Sequence, residues 1–209
     1  LRLAISGFGR IGRMTLRALQ EINRDDMEIV LINSPGPIET SAHLFEFDSI
    51  HGHSTSKVTI GKDWMDIGRG KIHMTRERDP LKIPHADHNI DIVLECSGKF
   101  NSHKQSAAHL TAGARKVLVS APCDNADMTI VYGVNHDSLN GTADIVSNGS
   151  CTTNCLAPVV KVLSNTVGIE AGYMTTIHAY TGDQSVLDSS HKDLRRARAA
   201  ALSMIPTST

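Results

Sequence analysis

"LRLAISGFGRIGRMTLRALQEI", residues 1–22, decides the fold. Leu3, Ile5 and Phe8 suit a buried strand, and Ile11, Met14, Leu16 and Leu19 recur at helical spacing. Between the two periods lie Gly7, Gly9 and Gly12, spelling G-x-G-x-x-G. Placed after a strand and opening a helix, this pattern suits a pyrophosphate. The first glycine permits a tight turn, the second lets the phosphates approach the backbone, and the third lets helix and strand pack closely. The unpaired N–H groups of the helix start then face the anion. A glycine-rich turn in some other α/β protein is the alternative.

Outward from that turn the pattern repeats. "MEIVLIN" (27–33) is a second apolar strand, and "ETSAHLFEF" (39–47) suits a short helix. "KVTI" (57–60) and "KIHMT" (71–75) are short and β-like, and read as a small hairpin insertion. "IDIVLECSG" (90–98) is another buried strand, and "SHKQSAAHLTAGA" (102–114) is a helix closing on Gly113. "RKVLVSAP" (115–122) and "MTIVYGVN" (128–135) are further strands. Apolar strands alternating with helices predict an α/β fold, a Rossmann-type doubly wound parallel sheet with helices on both faces. Topology predicts a dinucleotide-binding domain over 1–147. Residues 148–209 then hold a helix, a long strand "IEAGYMTTIHAY" (169–180) and an arginine-rich stretch, the first part of an α+β catalytic domain.

The composition excludes some classes. A formal net charge of -1 gives no general attraction for nucleic acid or an anionic membrane. No apolar run is long enough to span a bilayer, and the opening segment reads as strand rather than secretion signal. Four cysteines without a framework spacing point to reduced thiols and a cytoplasmic protein. The histidines of HGH (51–53) and HADH (85–88) lack ligand spacing, so loop histidines in solvent are expected there and no metal. The chain opens inside a strand and stops at "SMIPTST" (203–209), which reads as a fragment.

The second strand ends without the carboxylate that usually accepts from the ribose 2′-hydroxyl of NAD. Ser34 follows Asn33, and no acid comes before Glu39. A serine hydrogen-bonds to a 2′-phosphate that a carboxylate would repel. The cofactor is therefore NADP or NAD, with the sequence leaning to NADP or to use of both.

"SNGSCTTNCLAPVVKVL" (147–163) places capping residues before an apolar helical run, so Cys151 falls in the first helical turn. Helix N-termini stabilise a thiolate there. A nucleophile and a buried structural cysteine are both open for Cys151. Cys155, one turn on, reads as a buried small hydrophobe. His178 ends a strand, as a cleft-facing base or as a structural histidine.

These residues carry a resemblance. "GFGRIGR" (7–13), "FDSIHG" (47–52), "RERDP" (76–80), "SNGSCTTNCLAP" (147–158) and the segments "MTTIHAYTGDQ" (174–184) and "HKDLRRARAAALSMIPTST" (191–209) resemble phosphorylating glyceraldehyde-3-phosphate dehydrogenases, in order along the chain. The resemblance covers essentially the whole chain, which corresponds to the first two-thirds or so of a family member. It implies a cysteine-thioester oxidation of glyceraldehyde 3-phosphate, with phosphate and NAD(P)+, to 1,3-bisphosphoglycerate. By that resemblance Cys151 is the nucleophile and His178 its base. Gly7, Gly9, Arg10, Ile11, Gly12, Ser34, Arg78, Ser97 and Ser120 fall where the family meets the dinucleotide. Ser150, Thr152 and Thr209 match the inorganic-phosphate site, and Thr181, Asp183 and Arg196 the region of the substrate's phosphate. Arg198, in the same loop, is expected in a structural ion pair. A homotetramer is implied for the full-length protein, acting on small molecules and not on nucleic acid or membrane.

Ser34 and "NSPGPIETSAHL" (33–44) are similar to NADP-using members, and Gly149 stands where alanine is usual. Erythrose-4-phosphate dehydrogenase is the near alternative. An inactive NAD(P)-binding fragment is the second, and a thiol hydrolase, which leaves the glycine turn unexplained, the third.

Overall fold

Strand β1 (Arg2–Ser6) turns at Gly7 into helix α1 (Arg10–Glu21), and β2 (Glu28–Asn33) returns parallel to β1. The computed structural model describes residues 1–22, 24–187 and 189–208. Helix α2 (Ile38–Glu46) follows, then a two-stranded ribbon of β3 (Phe47–Asp48) and β4 (Gly52–His53). Next come β5 (Thr59–Ile60), β6 (Trp64–Asp66) and β7 (Lys71–Thr75), where β6 runs antiparallel to both neighbours and β7 parallel to β2. The hairpin expected over 57–75 is thus an antiparallel edge to the sheet. Strand β8 (Ile92–Glu95), helix α3 (His103–Thr111) and strands β9 (Lys116–Val119), β10 (Met128–Thr129) and β11 (Ile145–Ser147) complete it. The sheet order is β10-β11-β9-β8-β1-β2-β7-β6-β5.

Alternation along each strand splits the core between two faces. Leu3, Ile5 and Ile32 pack with Phe8, Leu16 and Phe45 of the α1–α2 side, whereas Ala4, Leu31 and Val93 pack with Val117 and Ile145 on the other face. Fully burying each of these Leu, Ile, Val and Phe side chains contributes roughly 1.5–3 kcal/mol. The doubly wound Rossmann reading holds.

Several local expectations give way. Ile11 does not join the apolar face of α1: it is 51% exposed at the helix start. "MTIVYGVN" yields only two strand residues. Asn135 explains this, because its side chain accepts from Val131 N–H at 2.8 Å and donates to Thr129 O at 2.9 Å. That local pairing competes with the ladder. Strand β11 is absent from the sequence reading; it is three residues long and carries no alternation to recognise. His85 is no solvated loop histidine but is buried, while His51 and His53 are exposed as expected.

The chain divides into two compact units, Leu1–Pro158 and Val159–Thr209. Helix α4 (Cys151–Thr166) begins in the first and ends in the second, with Pro158 inside it. In the second unit, residues 169–180 form no strand, and Tyr173 and Ile177 are 97% and 89% exposed. A strand needs a neighbour to take its backbone donors and acceptors, and no ladder partner for this segment lies among the described residues. No helix among the described residues is long and apolar enough to cross a membrane.

Candidate active site

The sheet reverses direction of growth at β1: β2 lies on one side and β8 on the other. Ligands of open α/β sheets bind outside the carboxyl ends of strands at such a switch point. Here the loops meet there. Gly7, at φ +91°, presses so closely on Ser97 after β8 that a Cβ would stand 2.4 Å from Ser97 Cα. A Cβ on Gly12 would stand 2.3 Å from Gly7 O and 3.0 Å from Ile5 Cγ2, so this glycine lets α1 seat on its own strand. Gly9 differs. It caps α1 with φ -75°, and a Cβ there meets nothing within 4 Å. Its open face adjoins the first turn of α1, which has no side-chain cap and no acidic residue. The donors of that turn suit a pyrophosphate; the three glycines fit the group in three different ways.

Arg10 and Ile11 are exposed on that first turn. Arg10 Nη1 donates to both oxygens of Asp48, at 2.9 and 2.7 Å. Asp48 is buried and also accepts from the N–H groups of Ile50 and His51. The Arg10 guanidinium first, then those amides, hold its carboxyl well below the usual carboxylate range. Ser34 is half-buried at the end of β2, with its N–H on Thr75 O at 2.9 Å. Beside it Asn33 accepts from Thr75 Oγ1 and Glu77 N–H and donates to Glu77 O. Asn33 thereby ties the Ser34 segment to the loop that carries exposed Arg78. Ser120, after β9, donates its N–H to Glu95 O at 3.0 Å. Asn33 and Asp48 were not singled out from sequence. Asn33 had a signal, a polar residue closing an apolar run, whereas Asp48 lies 38 residues from its arginine and had none.

Strand β11 runs parallel to β9, β8 and β1, so its carboxyl end lies at the same edge of the sheet as the glycine turn. The loop after it is pinned. Asn148 N–H donates to Val119 O, Ser147 Oγ donates to Ala121 O, and Gly149 takes φ +68°. Ser150 Oγ accepts from Thr153 N–H at 2.9 Å, an N-cap bond to the third helical residue. Cys151 is the first residue of α4 and is exposed. Thr152 follows in the same turn. Cys155, expected to be buried, is exposed too, since α4 buries none of its residues. Burial needs close packing, and α4 is covered only far enough to leave residues such as Ala157 and Pro158 half-buried. Cys96 is a different thiol: desolvation pushes it up to about 11.

The second unit holds the remaining candidates. His178 is exposed, and its Nδ1 lies 2.6 Å from Ala179 O. An Nδ1–H donor there places the acceptor lone pair on Nε2. Thr181 and Gln184 close a turn, with Thr181 N–H on Gln184 Oε1 at 3.0 Å. Arg196 is the hub of the loop: its guanidinium bonds the Asp183 carboxylate, lies 3.7 Å from Asp193 and donates to Thr207 Oγ1 and Ser208 O. This pairing holds the Asp183 carboxyl low. Arg196 pairs with Asp183 and Asp193, His191 Nε2 lies 3.6 Å from Asp183, and among the described residues Arg198 forms no ion pair. Thr209 lies outside the described residues. Among those residues no group of three or more His, Cys, Asp or Glu is placed to hold a metal.

A Rossmann sheet with a three-glycine turn at its switch point defines a dinucleotide-binding fold, with a thiol at a helix start on the same edge. Comparison with known proteins narrows the class. Residues 1–103 match the glyceraldehyde 3-phosphate dehydrogenase NAD binding domain, and residues 150–209 match the C-terminal domain of the same enzyme. The chain belongs to the glyceraldehyde-3-phosphate dehydrogenase family. It is 61% identical over 209 residues to glyceraldehyde-3-phosphate dehydrogenase of Xanthobacter flavus and 60% to that of Cereibacter sphaeroides. To that of Zymomonas mobilis it is 52% identical over 210 aligned positions. In each case all of this chain is covered, and it spans 62% of the relative's length.

Proposed function

We propose that this chain forms the cofactor-binding and thiol-bearing part of an NAD(P)-dependent phosphorylating aldehyde dehydrogenase acting on glyceraldehyde 3-phosphate. The observation that carries the reading is the shared edge: the Gly7–Gly12 turn and the Cys151 helix start both stand at the carboxyl end of one parallel sheet. We place the domain boundary at 147/148, where β11 ends.

Gly7, Gly9, Arg10, Ile11 and Gly12 would hold the pyrophosphate side of the dinucleotide, Ser34 and Arg78 its adenosine ribose, and Ser97 and Ser120 the wall beside β1. When bound, the nicotinamide supplies a hydride acceptor. The start of α4 stabilises the Cys151 thiolate. That thiolate attacks the aldehyde carbon and gives a hemithioacetal, whose oxyanion the Cys151 N–H can stabilise. His178 Nε2 takes the hydroxyl proton. After hydride loss Cys151 carries a thioester. Ser150, Thr152 and Thr209 would hold inorganic phosphate for attack on it, releasing an acyl phosphate and restoring the thiolate. Thr181, Asp183 and Arg196 would hold the substrate's phosphate, which must then displace the Asp183 carboxylate from part of the Arg196 fork.

Ser34 supports use of NADP, alone or beside NAD. The family resemblance implies a cytoplasmic homotetramer. Val186, Leu194 and Leu202 support the assembly, exposed at 68%, 83% and 83% on the 181–203 loop.

The test is reduction of NAD and NADP followed by ultraviolet absorbance, with glyceraldehyde 3-phosphate or erythrose 4-phosphate, with and without phosphate. Phosphate-dependent turnover that favours glyceraldehyde 3-phosphate and is lost in Cys151→Ser is expected. Turnover surviving Cys151→Ser refutes the mechanism, and preference for erythrose 4-phosphate moves the substrate assignment. A strong preference for NAD that Ser34→Asp leaves unchanged refutes the Ser34 argument.

A further inference from the structure

Glu95 ends β8 with its side chain wholly inside the protein. A carboxylate there is costly unless its oxygens are filled, and here they are. Oε1 accepts from Ser97 N–H at 2.7 Å and from the Ser97 hydroxyl. Oε2 lies 3.0 Å from His109 Nε2 of α3. The far nitrogen of that ring, His109 Nδ1, is 3.0 Å from His85 Nε2. Both imidazoles are buried, and Phe100 stands edge-on to His109 at 5.9 Å.

Hydrogen-bond accounting orients this chain. An ionised carboxylate only accepts, so His109 Nε2 carries a proton. His85 Nδ1 is buried and has no partner among the described residues. A stranded N–H is rarer than an under-used acceptor, so the His85 proton belongs on Nε2, pointing at His109 Nδ1. Burial first, and His109 second, push His85 down to about 3, which keeps it neutral. All donors therefore run toward Glu95, and Glu95 in turn grips Ser97. Ser97 is also the residue whose Cα would lie only 2.4 Å from a Gly7 Cβ.

We propose that Glu95 is a positioning residue for the dinucleotide: backed by His109 and His85, it fixes Ser97 against Gly7 and so sets the wall of the glycine turn. The inference rests on the reading that this turn takes NAD(P). A bystander role, merely tying α3 to β8, would stabilise the fold and leave cofactor affinity alone.

The test titrates NADH and NADPH by fluorescence into the native polypeptide, Glu95→Ala and Glu95→Gln. It also measures Ser97 amide exchange and His109 side-chain nitrogen shifts by NMR. In Glu95→Ala the Ser97 amide loses protection and Kd rises about tenfold, or about 1.4 kcal/mol. In Glu95→Gln the amide oxygen still accepts from Ser97 while its NH2 faces His109. The His109 proton then moves to Nδ1 and the His85 proton from Nε2 to its own Nδ1, and Kd stays near the native value. Native-like Kd and Ser97 protection in folded Glu95→Ala overturn the inference. Should that variant not fold, Glu95→Gln decides: a His109 proton retained on Nε2, or loss of Ser97 protection, overturns it. A native protein that binds neither nucleotide refutes the parent reading instead, and the inference with it.

Discussion

Replacing Gly9 by alanine separates what the glycine turn does for folding from what it does for a ligand. At φ -75° and ψ -160° alanine is accepted without strain, and its methyl group meets no protein atom within 4 Å. Alanine is the poorer helix cap, by roughly 0.5–1 kcal/mol. It also stiffens the unfolded chain, which returns about 0.4–1 kcal/mol. The two nearly cancel, so Gly9→Ala should unfold in urea within about 0.5 kcal/mol of the native protein. The methyl group nevertheless occupies the space through which a pyrophosphate reaches the first turn of α1. Losing even one charge-assisted hydrogen bond there removes about 1.5–3 kcal/mol, so Kd for NADH or NADPH should rise at least about tenfold. Gly12→Ala is the internal contrast. Its Cβ would stand 2.3 Å from Gly7 O, and overpacking of that kind destabilises by roughly 1–3 kcal/mol. Urea melts and fluorescence titrations on both variants give the result. Gly9→Ala binding nucleotide as tightly as the native chain refutes the cradle, and Gly9→Ala unfolding like Gly12→Ala refutes the open space.

Arg17→Met should destabilise by about 2–4 kcal/mol in urea, because buried Arg17 donates to the carbonyls of Phe45, Glu46, Gly52 and His53 and lies over the Phe45 ring; a loss below about 0.5 kcal/mol refutes this staple. Asp48 makes stability acid-sensitive. Its folded pKa is depressed by Arg10 and two amides, so its contribution is complete above the unfolded value near ~4 and is lost as pH falls below that. Asp48→Asn should flatten this limb of a stability–pH profile, and an unchanged profile refutes the assignment.

Much of the fold was legible in residues 1–22 and in the alternation that follows. Strand–glycine–helix order is local information, and a period change from two to 3.6 survives any environment. The position of Cys151 at a helix start was legible for the same reason, since Ser150 and the apolar run after it specify a cap. Ile11 misled because helical spacing names a face without saying how far the core extends along it. Residues 169–180 misled because β-like composition forms a strand only where a neighbour takes its hydrogen bonds. Asp48 on Arg10, Glu95 on Ser97 and His109, and His85 behind them were decided by tertiary structure alone. Arg10–Asp48, Glu95–His109 and His109–His85 join residues 38, 14 and 24 positions apart, which become near only when the elements that carry them are packed. Buried charge and tautomer depend on that surrounding field, which no local pattern of residues encodes.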